Sequence, residues 1–151
     1  MNKKEINRRK AILRRLARKY GDFRIMFKDS NWFEEEADGG DCIACFLLEE
    51  KRHIILNSSN IVEYSLERYK VAVLHEVGHL KNYKYKSACM RWEVDAERFV
   101  YEKIKEMKDP ILFCEAVHHL QDFKYSPWKE HRKAYKHIRN FPEKYSFDQN
   151  E

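Results

Sequence analysis

Apolar positions in the first twenty residues recur at helical spacing: Ile6, Leu13, Leu16, Ala17 and Tyr20, with Gly21 behind them. The pattern predicts a helix from about Lys4 to Tyr20. Three short apolar runs follow, Phe23–Phe27, Cys42–Leu48 and His53–Leu56, and read as strands. The acidic stretch from Asp29 to Asp41 between the first two reads as a loop, with Gly39-Gly40 as its turn. Glu49 to Arg52 reads as the turn of a hairpin joining the second and third strands. Beyond Ser65 the pattern is helical. Ser65 is a candidate N-cap for a helix to about Tyr83, and a second helix spans about Ala88 to Lys108. Asp109-Pro110 opens a third helix to about Phe123, and Ser126-Pro127 opens a fourth to about Asn140. Pro142 closes the pattern, and the last eight or so residues are expected to be loose. A helix, a small antiparallel sheet and then helices make an α+β fold.

A chain of 151 residues suits a single domain, 1–151, with a sizeable core. Its expected parts are a basic N-terminal helix (1–20), the sheet and two helices (21–108), and C-terminal helices (109–140). No run of 18 apolar residues is present, so no membrane-spanning helix is predicted. The charged start from Lys3 onward lacks the apolar stretch of a secretory signal, so a cytoplasmic location is expected. Cys42, Cys45, Cys89 and Cys114 are then expected as reduced thiols, with Cys42 and Cys45 as core residues of the second strand. Cys42 and Cys45 form a CxxC, but no second closely spaced pair completes a zinc ribbon.

Charge is uneven. Residues 1–20 carry nine Lys/Arg against one Glu (+8), leaving 21 against 24 (−3) in the remainder. The basic character therefore belongs to one helix. A solvated face explains it, and so does contact with an acidic partner or a nucleic-acid backbone.

The candidate chemistry is at His75-Glu76-Val77-Gly78-His79, an HExxH motif. Two histidines four apart lie one turn apart on one helix face and can chelate one zinc ion. The intervening Glu76 is placed to take a proton from water activated by the metal. Val71 to Leu80 is apolar apart from His75, Glu76 and His79, which predicts a buried helix. Burying two imidazoles and a carboxylate is costly unless they are paired or hold a metal. The alternative is a pair of ordinary core histidines bonded to carbonyls.

The next helix offers a third ligand. Arg91, Asp95, Arg98, Glu102 and Lys105 form a charged stripe suited to solvent. Glu93 and Glu97 fall opposite, with Val100, Ile104 and Met107. A metal would explain carboxylates on the apolar face, with Glu93 as ligand and Glu97 accepting from a ligating imidazole. Surface salt bridges are the alternative.

With Glu93, Ala96 and Phe99 following HEVGH, and Tyr69 to Leu74 leading into it, the chain resembles the gluzincin-type metallopeptidases. Within them it is most similar to the ImmA/IrrE group of regulatory metallopeptidases, also called the M78 type. The resemblance covers about residues 20–110, including a strand ending at Asn57. It implies a zincin-like fold and one zinc ion per chain at His75, His79 and Glu93, with Glu76 as general base. It also implies cleavage of a helix-turn-helix repressor in phage, mobile-element or stress regulation. The family often has Asn or Asp where this chain has Glu97, and Glu97 keeps the ability to accept a hydrogen bond.

His118, His119, His131, His137, Tyr125 and Tyr135 form a pool from which an oxyanion donor could come, and the sequence assigns none of them. A substrate peptide is expected to add as a strand along a sheet edge, with His53–Asn57 as the candidate. Two other functions fit the same sequence: a metal-containing binding or anti-repressor protein with little proteolysis, and a nucleic-acid-associated protein acting through the basic helix.

Overall fold

A computed structural model describes residues 2–37, 43–46, 52–83 and 89–148. Within these residues the fold is mixed α+β, with a small three-stranded sheet and a majority of helix. Helix α1 (Lys3–Arg18) leads to strand β1 (Arg24–Lys28), helix α2 (Ser30–Glu36) and strands β2 (Ala44–Phe46) and β3 (His53–Asn57). Helices α3 (Leu66–Lys81), α4 (Met90–Met107), α5 (Pro110–Lys124), α6 (Lys129–Ile138) and α7 (Phe141–Lys144) complete it. The chain groups into two compact units, Met1–Val77 and Gly78–Glu151, with the division inside α3.

In the first unit α1 buries Leu13 and Ala17 and starts at Asn2, whose side chain accepts from the Glu5 N–H at 2.9 Å. Arg9 leaves the solvated face. Its Nη1 donates to the carbonyls of Ile61 (3.1 Å) and Tyr64 (2.8 Å). Lys10 and Arg14 lie over the Phe27 ring on β1.

The sheet departs from the expected antiparallel arrangement. Its order is β1-β3-β2, with β3 parallel to β1 and antiparallel to β2. The connection from β1 to β3 is long enough for a crossover, and only β2 and β3 are close in sequence. Since β3 is paired on both sides, His53–Asn57 is the central strand and no edge for a peptide. Part of the expected acidic loop is α2. Asp29 caps it, accepting from the Trp32 N–H at 2.9 Å, and Phe33 anchors it as a fully buried ring. The Gly39-Gly40 turn, Cys42 and most of the Glu49–Arg52 turn lie outside the described residues.

Asn57 at the end of β3 is buried, and its carbonyl accepts from the Tyr69 hydroxyl at 2.7 Å. That bond ties the first turn of α3 to the sheet. Burial pushes the Tyr69 phenol up to about 12. Ser65 caps α3 as expected, accepting from the Arg68 N–H at 3.1 Å.

In the second unit α4 packs against α5, α6 and α7. Asp109 caps α5 through the N–H groups of Ile111 and Leu112, with Pro110 leading the helix. The fourth expected helix starts later than Ser126-Pro127, at Lys129, with Ser126 Oγ accepting from the Trp128 N–H at 3.1 Å. The chain beyond Asn140 is structured through Asp148, against expectation. Phe141 and Tyr145 contact the Tyr101 ring, and Phe147 contacts Phe113. Cys45, expected in the core, is half-buried, as is Cys89, and Cys114 is exposed. On α5, Leu112, Ala116, Leu120 and Phe123 supply the buried face instead.

Candidate metal centre

The HExxH segment lies within α3, and every residue from Val71 to Leu80 is buried, His75, Glu76 and His79 included. The helix puts the two imidazoles one turn apart, about 6 Å along its axis. Gly78 has a separate task. A Cβ there would lie 2.9 Å from both the Ala96 Cα and carbonyl oxygen and 3.1 Å from the Phe99 Cβ. The backbone of α4 can therefore approach that turn of α3 only because position 78 has no side chain. Trp92 strengthens the same contact, donating Nε1–H to the His79 carbonyl at 2.9 Å, with its ring edge-on to the His79 imidazole.

That approach brings Glu93 alongside His79, with Oε1 3.3 Å from Nε2. One ligand atom each from His75, His79 and Glu93 lies within 4.8 Å of the others, and all three residues are buried. Zinc bound to nitrogen and oxygen at about 2.0–2.2 Å in tetrahedral geometry requires neighbouring donor atoms about 3.3–3.5 Å apart. The His79–Glu93 edge already has that length. Two imidazoles and one carboxylate are also a donor set that zinc accepts while keeping a fourth position open. The three residues fit the ion.

The two faces of α4 separate as its periodicity predicts. Asp95 pairs with Arg98 at 2.8 Å on the half-exposed side. Glu93 and Glu97 are buried, and Glu97 has no exposed surface. Oε1 of Glu97 lies 3.4 Å from Nδ1 of His119 on α5, whose Nε2 lies 3.7 Å from Asp122. One turn beyond Glu97, Tyr101 is fully buried, and burial first and the Glu97 charge second push its phenol above the usual range.

From the pool of unassigned histidines, the fold thus brings His119 to Glu97. It brings a second, His131 on α6, to Glu93, with Nε2 3.3 Å from Oε1. His118 and His137 are exposed, as is Tyr125. Sequence spacing could not pick out His119 and His131, because their partners sit on another helix and depend on how α5 and α6 pack on α4.

Comparison with protein-family models, with curated proteins and with solved structures gave no match.

Proposed function

We propose that this chain is a zinc-dependent metallo-endopeptidase of zincin-like fold, with one zinc ion held by His75, His79 and Glu93 and with Glu76 as general base. The observation that carries this reading is the convergence of those three buried side chains to within 4.8 Å. A buried carboxylate, Glu76, lies between the two imidazoles in sequence. No other group of three or more such side chains forms among the described residues.

Zinc bound at this centre supplies Lewis acidity, polarising a carbonyl oxygen and lowering the pKa of water. Glu76 takes a proton from the attacking water and passes it to the leaving amine nitrogen as the C–N bond breaks. Glu93 adds negative charge and fixes the third corner of the site. Glu97 faces His119 one turn further on. Among the described residues the group has three members, and a three-ligand set with an open position suits hydrolysis, whereas a purely structural site would be closed by a fourth side chain.

The likeness of HEVGH with Glu93, Ala96 and Phe99 to the ImmA/IrrE group supports a regulatory role. The substrate on this reading is a cytoplasmic helix-turn-helix repressor in a phage or mobile-element setting. No helix among the described residues is long and apolar enough to cross a membrane. Glu76→Gln tests the assignment. It is expected to keep zinc and fold while abolishing cleavage of a repressor encoded beside the gene. Undiminished cleavage by the variant would remove Glu76 from the mechanism, and an intact repressor beside another protein that is cut would reject the substrate.

A second reading has its own observation. Lys3, Lys4, Arg14, Arg15, Arg18 and Lys19 are exposed on α1, a cationic face suited to an acidic partner or nucleic acid. On this reading the chain is a nucleic-acid-associated protein acting through the basic helix. Replacing the exposed Lys3, Lys4, Arg15 and Arg18 by Gln would then flatten the salt dependence of DNA binding and leave zinc uptake intact.

A further inference from the structure

Four groups of the second unit form a chain of close polar contacts that ends on Glu93. The Trp128 N–H donates to Ser126 Oγ at 3.1 Å, and Ser126 Oγ lies 3.1 Å from Nδ1 of His131. Nε2 of His131 lies 3.3 Å from Oε1 of Glu93. The start of the chain is anchored. Ser126 is buried, its carbonyl accepts from Arg132 Nη1 at 2.8 Å, and the Phe123 ring packs on the His131 imidazole.

Donor and acceptor roles follow from the two ends. A carboxylate only accepts, so it is as a donor, protonated at Nε2, that His131 can serve Glu93. In the neutral ring Nδ1 is then a lone pair, and the Ser126 hydroxyl, already accepting from Trp128, donates its proton to it. The opposite tautomer would set a nitrogen lone pair against a carboxylate oxygen. The same Glu93 oxygen also lies 3.3 Å from Nε2 of His79, whose nitrogen must be a lone pair in order to ligate. Once His79 is committed to a metal, His131 is a neighbour that can still donate to that oxygen.

We propose that His131 is the positioning residue for Glu93, with Ser126 selecting its Nε2–H tautomer. The carboxylate is thereby held in one orientation before the metal arrives. Its purpose rests on the metal-centre reading, but the tautomer can be read without metal. Outer partners of this kind usually contribute ten- to a hundredfold in metal affinity.

The test has two measurements on the full chain. In metal-free protein at about pH 8, where an ordinary histidine is neutral, imidazole ¹⁵N–¹H correlation spectra should show His131 protonated at Nε2 and bare at Nδ1. Ser126→Ala should turn it into a mixture of tautomers. In zinc titrations, His131→Ala should lose affinity about ten- to a hundredfold. His131→Gln, whose amide can donate from near the Nε2 position, should recover much of it. An Nδ1-protonated ring in the wild type would overturn the proposal. So would zinc binding at wild-type affinity by His131→Ala, which would leave the metal centre standing. A wild-type chain that takes up no zinc would overturn the metal centre and the positioning role together.

Discussion

Helices α1 and α4 are both amphipathic and rich in charge, yet they use it differently. On α1 the single acid, Glu5, faces water and is bound by Arg8 one turn on, at 2.7 Å from Nε. Apart from Arg9, which donates to the Ile61 and Tyr64 carbonyls, its cations extend into solvent or lie along the Phe27 ring. On α4, Asp95 and Arg98 repeat that surface pattern, while Glu93 and Glu97 are turned inward, each against an imidazole from another helix. An exposed pair on a helix contributes a few tenths of a kcal/mol and needs no further cause. Burying a carboxylate costs several kcal/mol unless partners compensate. The buried face of α4 is therefore where function is to be sought, and the more densely charged α1 is not.

Replacing the acids of α4 one at a time breaks or sharpens this contrast. Glu93→Ala is expected to abolish zinc binding and hydrolysis. Glu97→Ala should weaken zinc by roughly ten- to a hundredfold by loosening the support of the centre. Asp95→Ala should leave affinity within a factor of about two, since its partner Arg98 is half-exposed. Zinc titration of the three variants decides it. Tight binding in Glu93→Ala together with loss in Asp95→Ala would invert the assignment of the two faces.

Gly78→Ala tests how α4 reaches the centre. In an exposed helix interior this change stabilises by about 1 kcal/mol. Here the added carbon would meet backbone atoms of Ala96 at 2.9 Å. The expected net result is destabilisation of about 1–3 kcal/mol, with weakened zinc binding as Glu93 moves away from His79. Thermal and denaturant unfolding measure the first effect and zinc titration the second. An unchanged or raised Tm would show that α4 can retreat without cost.

The smallest effect belongs to α1. The hydrogen bond from Arg8, and then the charges of Arg8 and Arg9, hold the Glu5 carboxyl down to about 2, from an ordinary value of 4.5. A depressed pKa contributes stability that is present above the unfolded value and lost as pH falls through the folded one. Between about pH 4.5 and 2 the wild type should therefore lose slightly more stability than Glu5→Gln. Parallel acid-unfolding curves would show that the pair has no effect. Zinc affinity should be the same in both proteins near neutral pH.

Much of the architecture was legible because local rules decided it. The caps at Ser65 and Asp109, the unbroken apolar run around the HExxH motif and the two faces of α4 all follow from spacing along one helix. Helix α2 was hidden because Glu34, Glu35 and Glu36 mask a single buried ring, Phe33, behind the Asp29 cap. The parallel pairing of β1 with β3 was hidden because strand order depends on a crossover, and alternation within each strand does not encode it. At the candidate centre, His75, Glu76, His79 and Glu93 could be read from helical geometry and motif. His119 and His131 could not, since the contacts that single them out form only when α5 and α6 pack on α4.

The most direct measurement is the metal content of the purified protein, by elemental analysis after exhaustive dialysis, for the wild type and the His75→Ala/His79→Ala double variant. The account predicts about one zinc ion per wild-type chain and none in the double variant, with both chains folded by circular dichroism. A wild-type chain without zinc that also fails to take it up on titration would contradict the account. So would a double variant that retains zinc at the wild-type level.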